Sequence, residues 1–245
     1  STQLHSSHGA TQLNLGNLSH PKEIATSDGR GEGFELRSDQ WGAVRAGDGL
    51  LLSTHKQDIA KGTHLDAHEG RSQLEGNFNN AKTLSSIAKN QETDEIESVE
   101  QLKVFFEQIE KDIGTFKKAI MLLSAPNSIG LSTSEDIHFS ADGQINQYAN
   151  KSINQSTNKN FILHAQDKIS LFAAEAGARL FAGKGKIELQ AQNDQLDIVA
   201  RKGVQIISTE SEVIIRANKK IVLESGGSRI EISGAGIRNA TGSLF

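Results

Sequence analysis

No cysteine occurs among the 245 residues. That excludes disulfides, a thiolate nucleophile and cysteine-bound metal, and it suits a chain that crosses between redox compartments. Proline is nearly as scarce, two residues against 23 glycines. Proline cannot donate to a ladder and glycine permits sharp corners, so this balance suits a tightly cornered, regularly hydrogen-bonded sheet. Aromatics reach only 5%, with one Trp and one Tyr, which counts against a glycan-stacking surface. The net charge of −4 gives no sign of affinity for nucleic acid or membranes. No apolar run has the length of a membrane span, no secretion signal opens the chain, and its first residues read like the interior of a longer protein.

What is present is a beat of eight. Ile129, Ile137, Ile145, Ile153, Phe161 and Ile169 stand eight residues apart. The beat then loosens to eight or nine through Ala178, Ile187, Leu196, Val204, Val213, Ile221 and Ile230. Apolar residues recur two positions later, as at Leu131, Phe139, Leu163 and Leu171. A residue and its second neighbour share one face of a strand. Each unit therefore reads as a short strand with an inward pair, followed by a polar corner. Gln147 and Gln155 take the second inward slot in two successive units, where stacked amides could bond along an axis or simply weaken the array.

One such strand buries too little to offset the cost of ordering it, roughly 1–2 kcal/mol per residue. Two architectures solve this. A single chain can coil with two or three units per turn, or three chains can each supply one wall of a prism and cover one another's edges. Bulky Ile, Leu and Phe in both slots favour the prism. The expected fold is all-β: a homotrimeric, interwoven triple-stranded β-prism or β-helix needle, with an N-terminal β segment and a helical insertion.

Three segments follow. Residues 1–72 read as strands and turns: Gln12 to Leu15 alternate before Gly16, Gly31 to Arg37 and Trp41 to Ala46 carry strand signals, and Gly47-Asp48-Gly49 reverses the chain before Leu50, Leu51 and Leu52. Residues 73–120 are helical in character. Val99, Leu102, Phe106, Ile109, Ile113, Phe116 and Ile120 step by three and four, which predicts a packing seam on one helix of about twenty residues. Phe105 lies off that seam and calls for a second contact, outside the β array. A turn or two of helix is expected near Ala81 to Ala88. Residues 121–245 carry the octads; Pro126 stops the helical region, and Asn239 to Phe245 lose the beat and look frayed or truncated.

Catalytic chemistry is missing from this pattern. The glycines form neither a GxGxxG unit nor a phosphate loop, and no serine sits in a GxSxG elbow. His64 and His68 with Glu69 have metal-like spacing only on a helix, and Leu65 stands where a zincin has its Glu, so solvated residues are expected. His138 and His164, beside inward positions, should point outward. Carboxylate pairs such as Glu135-Asp136 fall at corners. No catalytic residue, metal ligand or cofactor is expected.

Several stretches together carry a resemblance: Ser6-Ser7-His8-Gly9-Ala10-Thr11-Gln12-Leu13-Asn14-Leu15-Gly16, Arg30-Gly31-Glu32-Gly33-Phe34-Glu35-Leu36-Arg37, Trp41-Gly42-Ala43-Val44-Arg45-Ala46-Gly47 and Gly49-Leu50-Leu51-Leu52-Ser53-Thr54. With Leu123-Ser124-Ala125-Pro126, Leu171-Phe172-Ala173, Gly183-Lys184-Gly185-Lys186-Ile187-Glu188 and Gly226-Gly227-Ser228-Arg229-Ile230, they resemble the VgrG family, the trimeric spikes of type VI secretion, and its C-terminal DUF2345 module. The resemblance implies a non-enzymatic homotrimeric needle related to phage tail spikes. It implies a hub, N-terminal to these residues, seated on the Hcp tube, and a PAAR-type tip protein or toxic effectors carried at the far end. It also implies assembly in the cytoplasm and passage out through a target-cell envelope. The family often has Thr-Pro-Gly near its last repeats, where this chain has Asn239-Ala240-Thr241-Gly242. A fibre-like adhesin or glycan-binding rod shares the prism physics, and a β-helical carbohydrate-active enzyme is a third reading.

Overall fold

A computed structural model describes residues 2–19, 29–112 and 114–242. The chain divides into two compact units, Ser1–Arg179 and Leu180–Phe245.

The first unit opens with an antiparallel meander of β1 (Thr2–Ser6), β2 (Thr11–Ser19) and β3 (Gly29–Arg37). Its register sets Leu4 opposite Leu13 and Leu13 opposite Leu36, with Leu15 opposite Phe34. Directly opposed residues share a face, so these side chains form one apolar face, and Leu4, Phe34 and Leu36 on it are exposed. The other face is polar. Buried Asn14 donates to Glu35 Oε2 at 2.9 Å, and Arg30 pairs with the same carboxylate. Trp41 to Ala46, expected as a strand, pairs with no other segment, and Trp41 is almost fully exposed.

β4 (Leu50–Ser53) and β5 (Met121–Ser124) pair in parallel, Leu51 opposite Leu122. Parallel neighbours need a long crossover, and this one holds both helices. Helix α1 (His68–Asn90) has Glu69 in its first turn and Lys89 in its last, both favourable to the helix dipole. Its buried positions include Gly70, Ala81, Ser85 and Ala88, small residues that let neighbours come close. Helix α2 (Val99–Phe106) buries Val99, Leu102 and Phe106, and Phe106 meets Phe78 of α1 at 5.6 Å between ring centres.

The predicted seam is therefore divided. Helix α2 stops at Phe106, while Ile109 and Phe116 face each other across an antiparallel bridge; Ile113 lies outside the described residues. Two features end the helix. Gly114 has φ +67 and leaves no room for a Cβ, which would stand 3.0 Å from the Ala67 nitrogen and 2.7 Å from Asp66 Oδ1. Buried Arg71 donates its Nε to the Ile109 carbonyl at 3.1 Å, an acceptor that a continuing helix would use internally. The three-and-four spacing serves two packings: Val99, Leu102 and Phe106 are buried on α2, with Phe106 against Phe78, while fully buried Ile109 packs with Ala67 and Leu122, and with partly buried Leu51, Leu74, Phe116 and Ile120. The longer helix, α1, far exceeds the turn or two expected near Ala81. The all-β expectation is corrected accordingly: the fold is mixed, with open sheets and two helices.

From Ala125 the unit changes character. The chain bends at 126–127, 134–135, 142–143, 150–151, 158–159 and 166–167, then at 174–176. Straight pieces lie between, and none of the described residues from 125 to 179 joins a strand ladder.

In the second unit the bends continue at 183–185, 192–194, 201–202, 209–211 and 218–219. The chain then closes on itself in a meander of β6 (Lys220–Ser225), β7 (Ser228–Ser233) and β8 (Gly236–Ala240). Gly226 and Gly227, with φ +56 and +82, make the two-residue turn between β6 and β7. Asn239 and Ala240, expected to be frayed, are paired with Ile230 and Arg229.

Ile109→Ala empties the best-packed site of the helical core. It is expected to cost about 2–5 kcal/mol, read as an earlier loss of helical circular dichroism on heating.

Candidate functional site

The feature with functional potential is a surface left open. Along β5, Leu122 and Ser124 are buried while Met121 and Leu123 are exposed. The covered side faces α1: a Cβ on Gly70 would lie 3.0 Å from Leu122 Cδ2 and 3.2 Å from Ser124 Oγ. Met121 stands eight residues before Ile129, and Leu123 eight before Leu131. The uncovered side of β5 is thus the start of the octad row. Ile129, Ile137, Ile145, Ile153, Phe161 and Ile169 are each 49–60% exposed. In the second unit Ile187, Leu196, Val204 and Val213 are 48–55% exposed. Soluble monomers rarely expose apolar surface on this scale, and patches of this kind mark interfaces. Ile221 and Ile230, read as the last members of the row, lie instead in the terminal meander, where Ile221 opposes Ile232 and Leu223 opposes Ile230.

The outward side of the octads meets the helices at three places. The first is Leu122 and Ser124 at the start of α1. The second is Asn146 and Tyr148. The Tyr148 hydroxyl donates to the Ser98 carbonyl at 3.0 Å, Asn80 Nδ2 donates to Asn150 Oδ1 at 2.8 Å, and Phe105, Leu74 and Asn77 line a cleft with Asn146 and Tyr148. The third is Ser170 and Phe172, which line a cleft with Leu84, Ala88 and Ile96, beside an ion pair of 2.5 Å between Lys168 and Asp94. These places are 24 residues apart, three octads. The chain thus returns to the same helix face once every three bends. Phe105 has found the outer contact that its off-seam position called for.

The spacing along α1 supplies a length. From Gly70, at the first row, to Ala88, at the third, the helix rises about 27 Å at 1.5 Å per residue. Strands in a sheet are 4.7–4.9 Å apart. About six strand spacings fit into that rise, although this chain fills only three rows. Sequence reasoning missed this docking face of α1. Its signal is a spacing of seven: Gly70, Asn77 and Leu84, with Leu74, Ala81 and Ala88.

Titratable residues gather at the start of α1, where His55 Nε2 lies 3.1 Å from Ser124 Oγ. His68 Nδ1 and Asp66 Oδ1 are 2.5 Å apart, the same carboxylate oxygen accepts the His68 backbone N–H, and His68 Nε2 reaches the Lys111 carbonyl at 3.0 Å. The bond to Asp66 raises the His68 pKa and the bond to His68 lowers that of Asp66. His64 and Glu69 line a shallow cleft with His55 and Asp66, and among the described residues no group of three ligands could hold a metal ion. This cluster secures the start of α1 and closes no reaction centre. His138 and His164 are exposed, as are the octad residues beside them.

Comparison with known proteins places this surface. The family described as "Uncharacterized protein conserved in bacteria (DUF2345)" matches residues 108–244. The type VI secretion system Rhs element Vgr family matches residues 1–88. The chain belongs to the VgrG spike family. It is 30% identical over 220 residues to the type VI secretion system spike protein VgrG2b of Pseudomonas aeruginosa strain PAO1, covering 86% of this chain and 21% of that protein. Against VgrG2a of the same strain, identity is 30% over 216 residues, covering 84% of this chain and 25% of that protein. The chain thus spans about a fifth to a quarter of the length of these curated relatives. Among solved structures, a VgrG spike of the type VI secretion system superimposes with TM-score 0.89 at 27% identity, covering 99% of this chain and 89% of that one. The structure titled as the Tle1 effector bound to the VgrG spike matches with TM-score 0.89 at 28% identity, covering 99% and 73%. No helix among the described residues is long and apolar enough to cross a membrane.

The Asp66–His68 pair has a defined pH window. His68's share of stability is complete below its ordinary value near 6.5 and is lost as pH rises through its raised folded value. Asp66's share is present above its ordinary value near 3.8 and is lost as pH falls through its lowered folded value. The melting-temperature gap between the wild-type chain and Asp66→Asn is expected to be widest between about pH 4 and pH 6.5 and to narrow on either side.

Proposed function

We propose that three copies of this chain wind together into an interwoven β-prism that serves as the puncturing and cargo-carrying spike of a type VI secretion system. The observation that carries the reading is the unfilled space along α1. A single chain coiled with three octads per turn would pair residue i with residue i + 24 in a parallel ladder. Its three rows would then span about two strand spacings, near 10 Å. The rise along α1 is about 27 Å, and none of the described residues from 125 to 219 joins a strand ladder. Two strands from two further copies fit between each pair of rows. They also supply the hydrogen-bond partners that buried backbone requires.

Area points the same way. The isolated chain exposes 22356 Å², about twice the roughly 10,600 Å² usual for a monomer of its mass. In the prism, Ile129, Ile137, Ile145, Ile153, Phe161, Ile169, Ile187, Leu196, Val204 and Val213 converge on the axis, and Ile221 and Ile230 close its end. Val99, Leu102 and Phe106 hold the helical insertion against its outside. Residues 1–72 form the collar below, with their open apolar sheet face covered in the assembly, and residues 121–245 form the needle. A hub N-terminal to these residues seats the spike on the Hcp tube, and the needle carries a PAAR-type tip or effectors. The match to a spike solved with an effector supports the carrying role. The assembled spike forms in the cytoplasm and is then propelled out of the cell.

Light scattering of the purified chain at micromolar concentration should give the mass of three copies; the mass of one would sink the proposal. Ile169→Asp should abolish assembly, because each buried charge costs several kcal/mol and three would meet at one level. Lys168→Asp turns the exposed pair with Asp94 into a like-charge contact that solvent screens, and should leave the trimer intact.

A further inference from the structure

The trimeric reading leaves a specific question about what lies beneath α1. Between the row of Asn146 and Tyr148 and the row of Ser170 and Phe172 there is room for two strands that this chain does not supply. Leu84 sits over that gap. It lines the cleft of about 390 Å³ that reaches Tyr148 and also the cleft that reaches Phe172, and it is 44% exposed.

Threefold symmetry says which strands fill the gap. If each octad advances one wall and one layer, successive layers on a given wall come from the three copies in rotation. Moving along the wall from Asn146 to Ser170, the layers are residue 146 of one copy, 154 of a second, 162 of the third, and 170 of the first again. The outward positions of the two intervening octads, Asn154, Ser156, Ile162 and His164, are small or polar with one exception. That exception is Ile162, outward between inward Phe161 and Leu163, and 68% exposed. An aliphatic residue without cover is thus placed one layer from Phe172, where Leu84 overhangs the wall.

We propose that α1 of each copy straps the outer faces of both neighbouring copies, with Leu84 seated on Ile162 of a neighbour. This rests on the trimeric reading and adds a role for the helices that the prism alone does not need. The occupant is a second and third copy of this chain: the gap is strand-wide, its neighbours on the wall are strands of the same repeat, and Ile162 is the apolar counterpart at the right layer.

The absence of native cysteine makes the test direct. Light scattering first establishes the mass of the wild-type chain and of the double variant Leu84→Cys/Ile162→Cys. The double variant, treated with a short bismaleimide, should run as covalently linked trimers on denaturing gels, while each single variant stays unlinked. Linkage within one chain, or none in a confirmed trimer, overturns the strap and leaves the trimer standing. A wild-type mass of one chain overturns both. If the double variant does not assemble, a cycle of Leu84→Ser and Ile162→Ser decides: residues in contact should give a combined drop in trimer melting temperature smaller than the sum of the single drops, and additive drops reject the contact.

Discussion

A short strand is a liability until something lies beside it. Each octad presents five or so backbone amides and carbonyls on both edges. Water satisfies them only while the strand stays exposed, and the inward Ile and Leu pairs drive it to be buried. The chain cannot meet both demands alone, because its own rows stand about three strand spacings apart on the wall that α1 covers. Everything else follows from that conflict. The outward positions can be small and polar because they face solvent or a helix. The inward ones are bulky, as the proposed prism requires if three walls are to fill one axis.

The pairing pattern along the chain gives this constraint a boundary. β4 and β5 pair within the chain, and so do β6, β7 and β8, while the octads between them pair with nothing of their own. Self-sufficient strands thus bracket the stretch that needs sister chains. The helical insertion enters where self-pairing stops. β4 leaves the wall, the chain builds α1 and α2, and β5 returns directly alongside. The wall therefore continues in register, with Met121 and Leu123 already in phase with Ile129 and Leu131.

The octads were legible because their signal is strictly local: eight residues fix one bend, and the bends fall where the polar corners between Ile129 and Ile169 predict them. The antiparallel β2–β3 pair was legible for the same reason, from alternation at Leu13 and Leu15 and again at Phe34 and Leu36. The helical insertion was not. Steps of three and four from Val99 to Phe116 satisfy a helix face, but they equally satisfy a short helix set on α1 followed by a segment folded against Ala67 and Leu122, and Gly114 and Arg71 decide between them. Arg71 lies some forty residues earlier, so no window on the seam contains the group that ends it. The spacing of seven on α1 was hidden because Gly70, Asn77, Ala81 and Ala88 are small or polar; they permit a close approach rather than drive one. Trp41 to Ala46 misled in the opposite way, since alternation without a neighbouring strand does not make a ladder.

Interleaving also changes what stability means for such a chain. In a bundle of independently folded subunits, one protomer can leave after one interface opens. In the proposed trimer, a copy whose octads alternate with those of two others would leave only by breaking ladder bonds at every layer, contacts that would form late, after three chains had met. Long-range pairing of that kind is slow to fold and slow to undo. The proposed helical strap would act at the one moment when an interwoven stretch is weak. α1 can fold within its own chain, from contacts such as Phe78 with Phe106 and Arg71 with Ile109. It then offers the first incoming sister strands a surface on which to dock. In the proposed assembly the insertion would then serve as a nucleus for threading, and its core is the best-buried part of an otherwise open chain.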